Sequence, residues 1–478
     1  MKISRRFGLG VSQYELDFVD IDTDRDIPLF IDPFFIGIRN DSWSMEAART
    51  LRNFFQTFVT LLRSGAKDQA RAMFNHLHEP NETCLGLSRH APRGNAIGEK
   101  DANKLFVSIA QSRAIATGIV EDLEDFRLFI PGIDKDKISD MATNVIRAQL
   151  IRYTQSQCKI WGIPLQPRIP TGFYWDAQAR CWSNSYAEML VVDQRRILLT
   201  PKAIVSYAKR YTSKQYHSKF VLEYLQSEHL SARSVLVQER KDGTPYVTKK
   251  NLTEKVAPHS KEFLAKFTQA HPDVFNDFKA WVRTSTRPIR NEELATESAS
   301  DVAAFLVSKL KAILPGNEQA SLYHRTVVGI LELVLYPDLV SPVIEKEIHE
   351  GRKRIDISFD NAAPSGFFHR VHTIYRTPAQ FVFAECKNYT KEVANPELDQ
   401  LAGRFSMNRG KVGLLIFRST NDMQTLINRC SDTYKDDRGV VLPICDSDLV
   451  TMLERMIEGE KTTYEDTLMS RFRSIALA

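Results

Sequence analysis

The sequence has few of the features that mark secreted, membrane or zinc-binding proteins. Its 6 cysteines show no C-x-x-C spacing and no nearby histidine pair, so they indicate neither a disulfide framework nor a zinc site. No apolar run approaches the roughly 18 residues of a membrane span, and the basic start "MKISRRFGLG" is not followed by the apolar core of a signal peptide. We therefore expect a cytoplasmic protein without membrane contact.

Motifs for nucleotide hydrolysis and calcium binding are also missing. The segment "RGNAIGEK" at 93–100 lacks the glycine spacing and the Lys-Ser or Lys-Thr pair of a phosphate-binding loop. The alternating acids Asp20, Asp22, Asp24 and Asp26 lack the glycine and the terminal glutamate of a calcium loop, so they predict a solvated turn.

The composition is that of a globular protein, and its charge is unevenly distributed. With 478 residues, 43% hydrophobic and 26% charged, the chain is long enough for two or three domains. The net charge of +5 decides little, but residues 201–262 contain 12 Lys and Arg against 6 Asp and Glu, interleaved with aromatics. Such a stretch either binds a nucleic-acid backbone, with Lys209, Arg210 and Lys214 as contacts, or forms an amphipathic helix with its aromatics inward.

The first 290 residues predict an α+β region of unknown fold. Strands are expected in "IPLFIDPFFI", at 195–200 and on both sides of the turn Asp242-Gly243. Helices are expected in "SMEAARTLRNFFQTFVTLLRSG" and "KEFLAKFTQAHPDVFNDFKAWV". The polar stretch 284–300 is the candidate linker, so we divide the chain into a sensor or target-recognition region, 1–290, and a second domain, 297–478.

Helices and strands alternate after residue 301. Two helices precede the strands "SPVIEKEI" and "KRIDISF", which the turn-like "HEGR" joins, and a short helix "GFFHRVHTIY" comes before the strand "QFVFAECK". Helix, strand, helix, strand and helix then follow, from "NPELDQLAGRFSM" to "DSDLVTMLERMIE". This order predicts an α/β domain, an αβββαβ core with a mixed sheet flanked by helices.

A charged pair ends one of these predicted strands. Glu385 and Lys387 lie two residues apart and therefore point to the same face, whereas Cys386 points to the opposite layer. Asp356 lies in the preceding strand, with 28 residues between it and Glu385, so it can meet Glu385 across neighbouring strand ends. Converging carboxylates repel each other unless a cation compensates, and oxygen ligands suit magnesium or manganese.

These residues resemble the PD-(D/E)xK, or restriction-endonuclease-like, nucleases. The resemblance covers roughly 301–460 and includes a helix glutamate, Glu332 in "GILELVLY", with Ile355 in place of the usual proline before the aspartate. It implies a metal bound by Asp356, Glu385, the carbonyl of Cys386 and, as an outer ligand, Glu332. It also implies that Lys387 contacts the attacking water or the phosphate, and that Gln400 is a polar catalytic-site residue.

The resemblance implies a magnesium-dependent endonuclease, with manganese able to substitute, that hydrolyses phosphodiester bonds of double-stranded DNA. Restriction or antiviral defence is the expected setting, with a homodimer or a partner subunit of a defence system. The alternatives are a DNA repair nuclease and a catalytically inactive nucleic-acid-binding or assembly module of the same fold.

Other residues carry weaker interpretations. Arg352, Lys353 and Arg354 are either phosphate contacts beside the site or an ordinary charged turn. His369 and His372 are more typical of a helix surface than of a catalytic cleft. A second E-x-K, Glu239 and Lys241, runs into a hairpin turn without an upstream strand aspartate, so it predicts a solvated hairpin end.

Overall fold

The computed structural model describes residues 1–87, 99–344, 356–460 and 462–478, and for 99–102, 113 and 356 it describes the backbone. The charged turn at 352–354, the "HEGR" segment and most of "RGNAIGEK" lie outside the described residues.

The helices of the N-terminal part lie within residues 3–285. They are α1 (Ile3–Arg6), α2 (Pro33–Ile38), α3 (Ser42–Arg63), α4 (Lys67–Ala72), α5 (Glu99–Ala110), α6 (Arg113–Ala116), α7 (Phe126–Phe129), α8 (Lys135–Val145), α9 (Arg147–Trp161), α10 (Ser213–Tyr216), α11 (Leu222–Ser231), α12 (Lys249–Lys255), α13 (Lys261–Ala270) and α14 (Pro272–Ser285). The later helices are α15 (Ala299–Ala312), α16 (Ala320–Leu335), α17 (Gly366–Thr373), α18 (Asn395–Ala402), α19 (Met423–Lys435), α20 (Asp446–Ile457) and α21 (Glu465–Ala476).

Short strands belong to the N-terminal part and longer ones to the C-terminal sheet. The short strands are β1 (Phe30–Ile31), β2 (Gln166–Pro170), β3 (Tyr174–Asp176), β4 (Cys181–Ser183), β5 (Tyr186–Val192), β6 (Arg195–Ile197), β7 (Val205–Ser206), β8 (Gln238–Glu239) and β9 (Pro245–Tyr246). The sheet strands are β10 (Leu339–Ile344), β11 (Asp356–Asn361), β12 (Phe381–Lys387), β13 (Val412–Phe417) and β14 (Val440–Cys445).

The C-terminal part is built on a five-stranded mixed sheet in the order β10-β11-β12-β13-β14. The first two pairings are antiparallel, and the β12–β13 and β13–β14 pairings are parallel. Every residue of β13 and β14 is buried, as expected for parallel strands covered on both faces. This confirms the predicted mixed α/β architecture of the C-terminal part, including the short helix α17 before β12.

Helices cover both faces of this sheet. The side chain of Cys386 lies beside Tyr323 of α16, whereas Lys387, the next residue of β12, contacts Gln400 of α18. Because successive strand residues point to opposite faces, α16 and α18 pack on opposite sides of β12.

The N-terminal part is largely helical, with small two- and three-stranded sheets. The predicted helix "SMEAARTLRNFF…" forms as α3, and the predicted second helix is divided into α13 and α14 at His271-Pro272. The predicted hairpin also forms, with Gly243 at φ +79° in the turn between β8 and β9. A glycine is suited to that left-handed position.

The strand expected in "IPLFIDPFFI" is mostly wrong. Phe30 and Ile31 form the short strand β1, but the chain then starts a helix, α2. The Asp32 side chain accepts a hydrogen bond from the Phe35 N–H, and Pro33 occupies the first helical turn. An aspartate cap followed by proline starts a helix whatever the β-propensity of the phenylalanines that follow.

The aromatic residues of the basic stretch point inward, as the second of our two interpretations predicts. Tyr211 stacks on Phe34, and its hydroxyl donates a hydrogen bond to Asp125. Tyr216 is fully buried and hydrogen-bonds Thr268. Phe220 packs against Phe278, so these rings form core rather than a stacking surface for bases.

Side chains from the N-terminal part cover the free edge of β10. In that strand the N–H of Ser341 donates to Asp17, and the carbonyl of Pro342 accepts from Ser156 and Gln157 of α9. Buried apolar residues form one continuous core through both parts. The candidate linker at 284–300 is packed as well, since Ile289 is buried and its carbonyl accepts a hydrogen bond from the Tyr336 hydroxyl.

Candidate active site

The charged pair at the end of β12 is buried. Glu385 is 0% exposed and Lys387 is 1% exposed, and the Lys387 Nζ forms an ion pair with Glu385 Oε1. Both side chains lie on one face because they are separated by a single residue of the strand. Ionised groups are rarely placed in the interior without a partner or a function, so this pair requires an explanation that a solvated strand end does not give.

The second E-x-K sequence provides the internal contrast. Glu239 lies in β8 at an exposed position, and Lys241 is exposed in the hairpin turn. Its prediction as a solvated hairpin end is confirmed. The E-x-K charged pair is therefore buried at residues 385 and 387 and exposed at residues 239 and 241.

Gln400 of α18 is the third member of the buried group. The Lys387 Nζ donates a hydrogen bond of 3.2 Å to Gln400 Oε1. The helix that carries Gln400 starts at Asn395-Pro396, where proline occupies the first turn. Lys387 thus connects the strand that holds Glu385 to the helix that follows it.

Asp356 stands directly opposite Glu385 in the sheet. The antiparallel register of β11 and β12 pairs Asp356 with Glu385, then Ile357 with Ala384. Directly paired residues belong to the same face of a sheet, with Cβ atoms about 4.5–5.5 Å apart. The backbone therefore brings the predicted aspartate position to the Glu385 position, 29 residues later in the chain.

Cys386 is 3% exposed and lies on the opposite face of β12. Its side chain is buried near Tyr323, so it is a core residue. The prediction concerned its carbonyl oxygen, which lies between Glu385 and Lys387 along the strand. That role stays a prediction.

Asn388, which the sequence analysis did not identify, anchors the end of β12. Its side-chain Nδ2 donates hydrogen bonds of 3.0 Å to the Leu314 carbonyl and 2.7 Å to the Gly316 carbonyl. The Gly316 N–H donates to the Asn388 carbonyl at 2.8 Å. The loop between α15 and α16 therefore holds the residue next to Lys387. The partners of the Asn388 side chain are backbone carbonyls more than 70 residues earlier in the chain. No hydrophobic periodicity or local motif in the sequence indicates such a contact, so Asn388 could not be predicted.

Glu332, Lys202 and Asp17 form a second buried group, at the interface between the two parts of the chain. We call it the interface group. Glu332 is 1% exposed, and its Oε2 is 3.6 Å from the Nζ of Lys202, which is fully buried. Burial and the neighbouring Asp17 carboxylate raise the pKa of Glu332 well above its usual value, and Lys202 opposes this shift. Asp17 in turn accepts a hydrogen bond of 2.6 Å from the Tyr153 hydroxyl.

The interface group gives Glu332 a partner outside the C-terminal sheet. Asp17 also accepts from Ser341 of β10, whose neighbour Val340 pairs with Asp360, the residue of β11 four positions beyond Asp356. Burial raises the pKa of Asp360 to about 7. The described contacts of Glu332 thus lie near Asp360, toward the end of β11 that is distant from Asp356. Its role as an outer metal ligand stays a prediction.

The predicted nucleic-acid contacts Lys209, Arg210 and Lys214 are exposed. Lys209 Nζ lies 5.1 Å from the centre of the Tyr207 ring, and the Arg210 guanidinium lies 5.8 Å from that of Trp281. They belong to the N-terminal part, and no described contact joins them to Lys387 or Gln400. Binding by these residues stays a prediction.

The donor types at the β12 site fit a hard divalent cation. A carboxylate from Glu385, a carboxylate residue at the paired Asp356 position and a strand carbonyl are oxygen donors, which magnesium and manganese prefer. Among the side chains that the structure describes, no group of three or more His, Cys, Asp or Glu residues is arranged to hold a metal ion. The fit therefore rests on two carboxylate positions and backbone oxygen.

Comparison with known proteins gives one match. Residues 8–212, less than half of the chain, match a family described as a domain of unknown function, DUF8370. No curated protein and no solved structure matches the chain. Within the described ranges, no helix has the length and apolar character to cross a membrane. The matched residues include Asp17 and Lys202 of the interface group and end well before the C-terminal sheet begins.

Proposed function

We propose that this chain is a metal-dependent nuclease of the restriction-endonuclease-like type that hydrolyses phosphodiester bonds of DNA. The observation that carries the proposal is the buried Glu385–Lys387–Gln400 group, placed in register with Asp356 at the end of the sheet. The strand order and directions, antiparallel for the first two pairings and parallel for the third, support the same assignment.

Each residue of the group has a role that follows from its position. Asp356 and Glu385, on adjacent strands, would hold a magnesium ion together with the Cys386 carbonyl. Such an ion lowers the pKa of a bound water and neutralises charge that develops on the phosphate. Lys387 has three donors on Nζ, of which one is directed at Glu385 and one at Gln400.

The third donor of Lys387 can reach a phosphate oxygen or the attacking water. Gln400 keeps the Lys387 ammonium oriented, since its side-chain oxygen accepts from Nζ at 3.2 Å. Burial strengthens these electrostatic interactions because water does not screen them. The positive charge of Lys387 beside Glu385, with the Asp356 position paired to Glu385 in the sheet, supports in-line water attack on a phosphodiester at this site.

Plasmid cleavage by the full chain tests the proposal. We expect nicking or linearisation of plasmid DNA with magnesium or manganese and none with a chelator. The Glu385→Gln, Asp356→Asn and Lys387→Met variants should each lose about 10²–10⁴-fold in rate, the range measured for removal of acid–base or electrostatic groups.

The matched control is the exposed second motif. Glu239→Gln should cut like the wild type, because it changes the same residue type in an E-x-K sequence outside the site. Metal-dependent cutting that survives Glu385→Gln would overturn the assignment.

Metal-dependent stability separates a nuclease from an inactive module of the same fold. If the site binds manganese, the metal raises the melting temperature of the chain by mass action. An inactive module that has lost the metal site shows no such rise. We expect the shift in the wild type and in Glu239→Gln but not in Glu385→Gln. A chain that binds DNA without any manganese-dependent shift and without cleavage would instead be the binding or assembly module.

A further inference from the structure

Basic side chains are concentrated in one region of the N-terminal part. We call it the basic strip and define it by six residues: Arg127, Lys135, Lys209, Arg210, Lys214 and Lys219. The last four are exposed, and within the described ranges none of those four forms an ion pair. Exposed cations without a carboxylate ion-pair partner contribute a positive potential at the protein surface.

Direct contacts connect several members of the strip to shared residues. The Arg127 guanidinium donates to the carbonyl of Ala208, the residue before Lys209. The Trp281 ring lies between two cations, with the Arg210 guanidinium 5.8 Å and the Lys219 Nζ 4.7 Å from its centre. The strip therefore runs from the start of α8 across the turn at 207–210 to the helical turn that contains Lys219.

The cations are close enough to repel one another. Burial and the positive charges of Arg127 and Lys209 lower the pKa of Lys135, and the carboxylates of Asp136 and Asp134 oppose this shift. Acids also lie near the strip: Asp32 accepts from the Ser206 hydroxyl, Glu293 pairs with Arg287 at 2.8 Å, and Asp134 and Asp136 flank Lys135. An external anion would relieve this repulsion without breaking an internal ion pair.

The shape of the strip favours a phosphate backbone over exposed bases. A cavity of about 200 Å³, large enough for a phosphate group, opens beside Lys209, Arg210 and the segment 285–287, and Asp32 and Glu293 also line it. Lys209 lies over the Tyr207 ring, and Arg210 and Lys219 lie over the Trp281 ring. Both rings are therefore poorly placed to stack on bases. The buried positions of Tyr211 and Tyr216 remove two further stacking partners.

We propose that the basic strip binds the phosphodiester backbone of duplex DNA, without reading its sequence, and so retains the substrate of the β12 site. The proposal rests on the proposed function for its choice of DNA. It names a substrate-binding surface outside the catalytic group, with Lys219 and the Arg127–Lys135 pair as members that the sequence pattern did not identify.

The test measures binding separately from cleavage. Fluorescence anisotropy with a duplex of about 30 base pairs, long enough to cover several phosphates on each strand, gives the dissociation constant of the full chain over a range of salt concentrations. Chelator is present so that no metal-dependent cutting occurs. The test variant is Lys209→Glu with Arg210→Glu. The matched control is Arg25→Glu with Arg152→Glu, which changes the net charge equally at two exposed arginines that are paired to acids elsewhere.

We expect the test variant to bind at least about 10-fold more weakly, with the slope of log K against log salt reduced by about 0.9 for each phosphate that the variant no longer neutralises. The control should stay within about 2-fold of the wild type. A single Lys219→Gln change should weaken binding less, in the same direction. Equal affinity and slope in test and control variants would overturn the proposal.

Two outcomes separate this surface from the nuclease assignment. Loss of DNA binding in the test variant, with no cleavage by the wild type under any metal, would support the strip and refute the nuclease. Cleavage that persists unchanged in the test variant, with normal binding, would support the nuclease and refute the strip. Binding of anionic phosphatidylserine vesicles that needs Lys209 and Arg210, without DNA binding, would also refute it in favour of a membrane surface.

Discussion

Lys202 and Lys387 are both buried against a glutamate, but the two pairs differ in what they connect. Lys387 contacts Glu385, two residues away on the same strand, so that contact brings no distant segments together. Lys202 contacts Glu332, 130 residues away, and its Nζ also lies 4.1 Å from the centre of the Tyr336 ring. One pair is local and the other joins the two parts of the chain.

This difference separates a structural explanation from a functional one. Burying charged groups costs several kcal/mol per ion, and attraction between them returns part of it. For Lys202 and Glu332 the placement fixes how α16 lies against the N-terminal part. The ion pair between Glu385 and Lys387 spans two residues of one strand, and the link from this strand to α18 is made by the Lys387–Gln400 hydrogen bond. We therefore interpret the interface group as structural and the β12 group as functional.

The largest effect that would test this contrast is expected at Lys202. Lys202→Met leaves the Glu332 and Asp17 carboxylates buried without their cation, which should lower the free energy of unfolding by about 3–5 kcal/mol. Urea denaturation of the full chain measures it. The double change Lys202→Met with Glu332→Leu should recover part of the loss, and no recovery would mean that the pair is not the source of the effect.

Asn388 should show how the local pair is held in place. Asn388→Ala removes the two hydrogen bonds to the carbonyls of Leu314 and Gly316, which should cost about 1–3 kcal/mol and slow any metal-dependent cleavage. The control is Asn428→Ala at an exposed helix position, where we expect a change within about 0.5 kcal/mol. A normal cleavage rate in Asn388→Ala would show that the loop does not position Lys387.

The pH dependence of stability should trace the interface group. Burial raises the folded-state pKa of Glu332 and of Asp17, so between about pH 4 and those raised values the folded chain binds more protons than the unfolded chain. These two groups therefore contribute a fall in the free energy of unfolding as pH rises through that window.

Glu332→Gln should make this fall shallower, because one of the two raised carboxyl groups is gone. Glu239→Gln, at an exposed position, should leave the slope unchanged. Denaturation midpoints at intervals from about pH 4 to 8, which spans the range above the ordinary carboxyl pKa, provide the measurement. A steeper fall in Glu332→Gln would contradict the assignment of the raised pKa to this group.

The smallest stability effect is expected at Glu385. Glu385→Gln keeps the shape of the side chain, removes one of two acids at paired positions of the strand register, and leaves Lys387 its hydrogen bond to Gln400. We expect the unfolding free energy to change by less than about 1 kcal/mol, or to rise, while cleavage is lost. A destabilisation as large as that of Lys202→Met would remove the distinction between the two groups.

The β12 site could be placed from the sequence because its parts are close in the chain and periodic. Asp356 and Glu385 belong to consecutive strands with clear apolar patterns, so their pairing followed from element order, and Gln400 lies in the next helix. The contact of Lys202 with Glu332 had no such signal. Residues 130 positions apart in different parts of the chain meet only through the tertiary fold.

Local patterns failed where capping or packing outweighed propensity. The phenylalanines after Pro33 have high strand propensity, but the Asp32 cap and the proline start α2. The stretch with Tyr211 and Tyr216 allowed two interpretations, and only the packing of Phe34 and Thr268 against these rings decided between them. Helix α21, with the short sequence between it and α20, was not predicted at all.

The covered edge of β10 determines where this protein can be divided. A fragment that begins at residue 297 would retain all five sheet strands, yet it would lose Asp17, Ser156 and Gln157, which satisfy the backbone groups of Ser341 and Pro342. An uncovered strand edge recruits other strands. Such a fragment would self-associate through β10, so boundaries for a separately expressed C-terminal part have to include α9 or a replacement for it.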